Sequence, residues 1–208
     1  MHSRRSLLAA LGATASVTVA GCSTTGGGPT TPDLLRLSLP TAAESVPTRY
    51  TCEADDGRGV SLPVEIASVP PPTEALAFVF EYPNSVGGTF THWVAWNLPP
   101  DTDRVPEAVP NEPTPSELGG GVQGRNGVGD VGYVGPCPPP SEEAQRYWLT
   151  LYALRRELDI PAGSGRDPVD DALETATLAS KRLTTYFRRP FGADGGSANG
   201  TTTRTPLE

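Results

Sequence analysis

Proline and glycine, 23 of each in 208 residues, cut this chain into short pieces. Proline removes a backbone donor and fixes φ, and glycine raises the entropic cost of any regular element. What survives between the breaks is a set of runs rich in aromatic and branched residues, at 34–39, 63–67, 76–81, 90–98, 145–154 and 182–188. Bounded by Pro, Gly, Asp and Asn, runs of that length read as strands. In 90–98 the even positions Phe90, Val94, Trp96 and Leu98 form one apolar face, and Trp93 with Ala95 makes the other apolar as well. A strand covered on both sides sits inside a sheet. One helix start stands out: Asp167 as N-cap, Pro168 at the first helical position, Asp170 and Asp171 in the electropositive first turn, and a body over 169–178. No heptad or G-X-Y period runs through the chain, which excludes coiled coils and collagen. The expected fold is a single mainly β domain, an antiparallel β-sandwich with one helix near its C-terminal end, over residues 34–190. The Pro- and Gly-rich segments 99–115 and 119–140 are expected as surface loops, the second a pliable rim, and 191–208 as a disordered tail.

Residues 1–21 read as an address. Arg4 and Arg5 precede an apolar stretch from Leu7 to Ala20 that is too short for a membrane span and has the length of a signal-peptide core. The paired arginines resemble a twin-arginine export signal. Val19-Ala20-Gly21-Cys22 resembles a lipobox, in which Cys22 takes a lipid and becomes the first residue. The expectation is an exported protein held on the outer face of the cytoplasmic membrane, with 22–33 a flexible tether. An ordinary signal peptide, or an uncut N-terminal anchor, is the competing reading.

The formal net charge of −8, with Lys181 the single lysine, argues against nucleic acid as a partner. Gly127-Val128-Gly129-Asp130-Val131-Gly132 fits G-x-G-x-x-G, but Tyr-Val-Gly-Pro-Cys-Pro-Pro follows where a dinucleotide site needs a helix. No cofactor and no metal site is expected, since two histidines and three cysteines show no ligand spacing. Cys137 and His92 lack an orienting acid for thiol catalysis, and the expectation is a non-enzymatic protein. With Cys22 lipidated, Cys52 and Cys137 remain as an even pair in an oxidising compartment, either bridged or as two separate thiols. Asn199-Gly200-Thr201 is a glycosylation sequon.

Three stretches occur in order: Val46-Pro47-Thr48-Arg49-Tyr50-Thr51-Cys52; then Gly87-Gly88-Thr89-Phe90-Thr91-His92-Trp93-Val94-Ala95-Trp96-Asn97-Leu98-Pro99; then Gly132-Tyr133-Val134-Gly135-Pro136-Cys137-Pro138-Pro139, followed by Arg146-Tyr147 and Leu151-Tyr152-Ala153-Leu154. Together they resemble the phosphatidylethanolamine-binding protein family in its bacterial and archaeal, Raf-kinase-inhibitor-like branch. The resemblance implies an antiparallel β-sandwich with a small anion-binding pocket at one end. It assigns His92, Tyr133, Pro138 and Pro139 to that pocket.

The chain departs from the family pattern at two places. Tyr82-Pro83-Asn84 stands where relatives carry Asp-Pro-Asp, and Gln145 stands where they carry a histidine before Arg-Tyr. Tyr82, Asn84 and Gln145 are thus candidate ligand-binding positions of altered chemistry, with Glu81 the one carboxylate nearby. The expected ligand is a small anion bearing phosphate or carboxylate, held by His92 when protonated near its ordinary value of about 6.5. The competing expectations are a pocket filled by Tyr82, with His92 a core residue, and an inhibitor or docking protein that engages a protein partner through its surface loops.

Overall fold

The computed structural model describes residues 35–42, 44–83 and 88–192. The export segment, the tether with Cys22, Asn84, Asn199 and the tail from 193 onward lie outside the described residues.

Among the described residues, eight strands and one α-helix follow in chain order: β1 (Arg36–Ser38), β2 (Val64–Ser68), β3 (Ala75–Tyr82), β4 (Phe90–Leu98), β5 (Arg104–Val105), β6 (Val122–Gln123), β7 (Gln145–Leu154), α1 (Arg166–Ala176) and β8 (Thr177–Phe187). They form two antiparallel sheets, one ordered β1-β2-β5 and the other β6-β4-β3-β7-β8. Between them lies a core in which Leu37, Val64, Ile66 and Val105 of the small sheet meet Phe78, Phe80, Trp93, Leu149 and Leu151 of the large one. The outer face of the large sheet carries Ala77, Val79, Val94 and Trp96, covered by Val169, Leu173 and Ala176 of α1. The antiparallel β-sandwich with one helix is therefore the fold.

Two expectations about local structure are corrected. The helix is capped by the backbone of Gly165 without a side-chain bond, so Asp167 lies in the first turn instead of at the cap. Pro168 is then the third helical residue, not the first, where its missing N–H still has no intrahelical acceptor to lose. At the other end α1 stops at Ala176. Thr177 donates its hydroxyl to the Leu173 carbonyl (2.7 Å) and pairs with Leu154, so Thr177 and Leu178 open β8. Pairing along β7 outweighs the helical pattern that seemed to run to 178.

The second correction concerns β4. Phe80 pairs with Trp93 but Glu81 with Thr91, so one step on β3 answers two on β4 and His92 is the extra residue of a bulge. A second irregularity separates Ala95 from Leu98 and contains Asn97, in the left-handed region at φ 59°. The four even positions therefore do not share a face. Val94 and Trp96 pack under α1, Leu98 joins the inter-sheet core with Trp93 and Ala95, and Phe90 stands at the strand's end.

The segments expected as surface loops contain β5 and β6 and several buried anchors. Gln123 donates from Nε2 to the Pro110 and Glu112 carbonyls and accepts from Trp93 Nε1 at 2.8 Å. Asn111 and Tyr133 exchange two bonds, the Asn111 amide donating to the Tyr133 carbonyl (3.0 Å) and the Tyr133 N–H to Asn111 Oδ1 (2.9 Å). Gly132 adopts φ 93°, and a Cβ there would strike the Asn111 amide. Gly132 thus serves close approach, and the side-chain amides of Gln123 and Asn111 hold the segment in place.

Cys52 and Cys137 form a disulfide, with Cα atoms 5.3 Å apart. It ties the turn after Tyr50 to the Pro-rich segment at 138–140. With the bridged cysteines 85 positions apart, the chain-entropy argument gives about 4–5 kcal/mol of stabilisation. Cys52→Ser/Cys137→Ser is expected to lose stability of that order in urea denaturation, and reductant is expected to weaken the wild type but not the double variant.

Candidate functional site

At the end of the sandwich where β3, β4 and β7 meet the disulfide-tied segment, a cavity of about 730 Å³ opens. The bulge makes it. By plain alternation from Val94, His92 would face α1; the extra residue turns it to the inner side, where its ring meets Phe80, Phe90 and Tyr147 at 5.5, 4.8 and 5.4 Å. His92 is 4% exposed. Its Nδ1 lies 2.9 Å from the Val134 carbonyl oxygen, which can only accept, so Nδ1 carries the proton. Nε2 has no hydrogen-bond partner among the described residues.

Of the residues expected at the site, the cavity brings together His92, Tyr82, Gln145, Pro138 and Pro139. Tyr82 does not fill it: its hydroxyl donates to Gln145 Oε1 at 3.1 Å and forms part of the wall. Tyr133 is corrected. Its side chain is packed beneath the floor, stacked on Phe80, and its hydroxyl donates to the Tyr50 carbonyl at 2.6 Å. Burial, then the neighbouring Tyr147 and Tyr50, push that phenol's pKa well up. It is a structural donor that locks the Tyr50 turn. Sequence reasoning missed Phe90, Tyr147, Val134 and Ser141. Phe90 and Tyr147 stand two residues from His92 and from Gln145, a spacing that strand alternation already places on the same side.

Glu81 is absent from the lining because its side chain leaves β3 on the opposite face from Phe80 and Tyr82. There it accepts from Arg166 at 2.8 Å, and Arg166 also donates to Asp170 at 2.7 Å. Burial works against the Arg166 charge, but the Glu81 bond and the Asp170 charge outweigh it and raise its pKa. This ion pair ties α1 to β3 beside a separate polar cleft. The described residues lining the His92 cavity include no Asp, Glu, Lys or Arg. Cys137, also in the wall, has its sulfur bonded to Cys52 and offers no thiol to His92.

The sequence profile of the phosphatidylethanolamine-binding proteins matches residues 38–188. The chain belongs to the phosphatidylethanolamine-binding protein family. A UPF0098 protein of Pyrococcus horikoshii is 32% identical over 175 residues, covering 84% of this chain and 86% of that protein. A Mycobacterium tuberculosis protein bearing the name "Putative lipoprotein LppC" is 30% identical over 155 residues, 74% of this chain and 72% of its own length. The crystal structure of Escherichia coli YbcL, described as a member of the mammalian family, superposes with a TM-score of 0.66 at 24% identity, over 75% of this chain and 99% of that one. YbcL shows the shared fold.

Burial lowers the His92 pKa to about 4, against a smaller upward pull from the Val134 carbonyl. The folded protein therefore resists protonation that the unfolded chain accepts near pH 6.5. Above that pH the group contributes nothing to the pH dependence. As pH falls from about 6.5 to about 4 the unfolded state gains a proton the native state lacks, and stability drops by roughly 3 kcal/mol in all. Denaturation curves of wild type and His92→Gln across that window are expected to show the excess loss in the wild type alone.

Proposed function

We propose that the protein is an exported, lipid-tethered, non-enzymatic binding protein that holds a small molecule in the His92 cavity. The observation that carries this reading is the cavity: about 730 Å³ at one end of the sandwich, walled by aromatic rings and prolines, with the polar side chains of His92, Tyr82, Gln145, Tyr147 and Ser141 in its lining. Among the described residues no hydrogen bond joins His92 to a hydroxyl of the lining, and the Cys137 sulfur is bonded to Cys52, which supports binding over turnover. Burial disfavours the charged form of His92 and the described lining offers no other positive side chain, which argues against an anion held by a charged histidine.

Export and tethering rest on the Arg4-Arg5 and Val19-Ala20-Gly21-Cys22 motifs and gain support from two further facts. The Cys52–Cys137 disulfide belongs to an oxidising compartment. The mycobacterial relative carries a lipoprotein name. One acyl chain anchors only marginally, so the lipid on Cys22 would need two chains or more.

In cell fractionation, wild type is expected in the membrane fraction as processed protein, and Cys22→Ser is expected to be released or left unprocessed. Equal membrane retention of processed wild type and variant would overturn the tether. Native mass spectrometry of gently purified protein is expected to show a retained small molecule that is lost on filling the cavity with Ser141→Trp. Recovery of a bound protein, and of no small molecule in either form, would favour the partner-docking reading instead.

A further inference from the structure

The cavity's polar atoms define which chemistry it accepts, given the reading that it is a ligand site. Because Nδ1 donates to the Val134 carbonyl, the neutral His92 ring presents Nε2 to the cavity as a lone pair, an acceptor. A phosphate or carboxylate oxygen placed there would meet a lone pair and find no counter-charge in the described lining. Charging His92 to receive it is unfavourable, because burial among the rings of Phe80, Phe90 and Tyr147 holds its pKa down, to about 4.

The groups facing His92 keep it so. From β3 comes Phe80, from β4 Phe90 and from β7 Tyr147, and the loop supplies the Val134 carbonyl. Tyr147 is the titratable group in direct ring contact, and burial, then Tyr82, raise its pKa, so the phenol stays protonated and neutral. Its hydroxyl has no hydrogen-bond partner among the described residues and is a donor available to the cavity. Tyr82 and Gln145 are bonded to each other, which leaves the Gln145 amide N–H₂ as a second neutral donor. The rest of the wall is Phe90, Val134, Gly135, Cys137, three consecutive prolines, 138–140, and Ser141, whose neutral hydroxyl accepts from the Glu143 N–H at 3.0 Å. At the rim Val128 is 61% exposed, an apolar side chain held at the mouth by the Asn126 turn.

We propose that the cavity selects an uncharged ligand with an apolar body and a head group, such as a hydroxyl or carboxamide, that donates a hydrogen bond to His92 Nε2. Neutral donors on Tyr147 and Gln145 can meet the acceptor lone pairs of the same head group. The apolar body lies against Phe90 and the prolines and leaves past Val128.

The test uses the full-length protein in detergent and three probes matched in size: 4-ethylphenol, 4-ethylanisole and phenyl phosphate. At neutral pH calorimetric titration is expected to rank 4-ethylphenol first, with 4-ethylanisole about tenfold weaker for want of the one donated bond and phenyl phosphate weaker than the phenol. In His92→Phe the phenol and the anisole are expected to bind equally. Should that variant fail to fold, the wild-type ranking decides the matter by itself. Histidine ¹⁵N spectra supply an independent readout, since the chain has two histidines: His92 is expected to show a protonated Nδ1 and a bare Nε2 at neutral pH, with Nε2 shifted by the phenol and not by the anisole. Tighter binding of phenyl phosphate, equal affinities for phenol and anisole in the wild type, or a proton on Nε2 would overturn the donor proposal while leaving the cavity a ligand site. Failure of all three probes to bind would overturn both.

Discussion

Alternation along a strand fixes which side chains meet a core, and β4 departs from it between Trp93 and Thr91, where His92 stands opposite no residue of β3. Both faces of the sheet depend on that departure. On the inner face it sets His92 among Phe80, Phe90 and Tyr147 at the cavity's base. On the outer face it sets Thr91 beside Glu81, where the Thr91 hydroxyl lies 3.4 Å from Arg166 and the buried ion pair anchors α1. Without the extra residue, His92 would be pressed toward the Val94 and Trp96 surface under the helix, and Thr91 would enter the aromatic cluster. The bulge thus separates a neutral pocket from a charged cleft only one strand's thickness away.

The cavity wall opposite the bulge is made of chain with few regular hydrogen bonds, and its position comes from other sources. Val134 N–H donates to the His92 carbonyl (2.9 Å), so the wall pairs with the bulge at both backbone and side chain. The Tyr133 hydroxyl, the Gly135 N–H and the Cys137 sulfur then fasten the same segment to the Tyr50–Arg58 turn. Gly135 is required there, since a Cβ would come within 2.7 Å of the Arg58 and Tyr50 carbonyl oxygens. Three chemically different ties on alternate residues, 133, 135 and 137, make a wall that needs no strand to hold its shape.

Much of this architecture was legible before any coordinates. The strands 90–98 and 145–154 stand where their residue types placed them, because long apolar runs between turn formers have few alternatives. The disulfide and five of the cavity's residues were also within reach of motif and spacing. What could not be read were the bulges, which leave no mark in a pattern of apolar and polar letters, and so Phe90 and Leu98 do not share the face of Val94 and Trp96. The roles of Gln123 and Asn111 were hidden for a related reason: a side-chain amide that satisfies distant backbone groups looks, in sequence, like any loop polar residue. Tyr133 was placed in the pocket by family likeness, yet its hydroxyl had a nearer acceptor in the Tyr50 carbonyl.

The two departures from the family pattern belong to one event in space. Tyr82 and Gln145 occupy positions where the resemblance expects an acid and a histidine, and they touch, hydroxyl to amide oxygen, across β3 and β7. An acid and an imidazole facing each other would bring opposite charges into the cavity mouth. A phenol and an amide keep one hydrogen bond across the same gap and remove both charges. Changing either position alone would leave the remaining acid or imidazole beside a neutral neighbour in a half-buried site, with no opposite charge to offset its desolvation. Changed together, they leave a lining of neutral donors around the bare Nε2 of His92. The sandwich, the bulge and the disulfide-tied wall set the cavity's shape, and the Tyr82–Gln145 pair makes one side of its lining neutral.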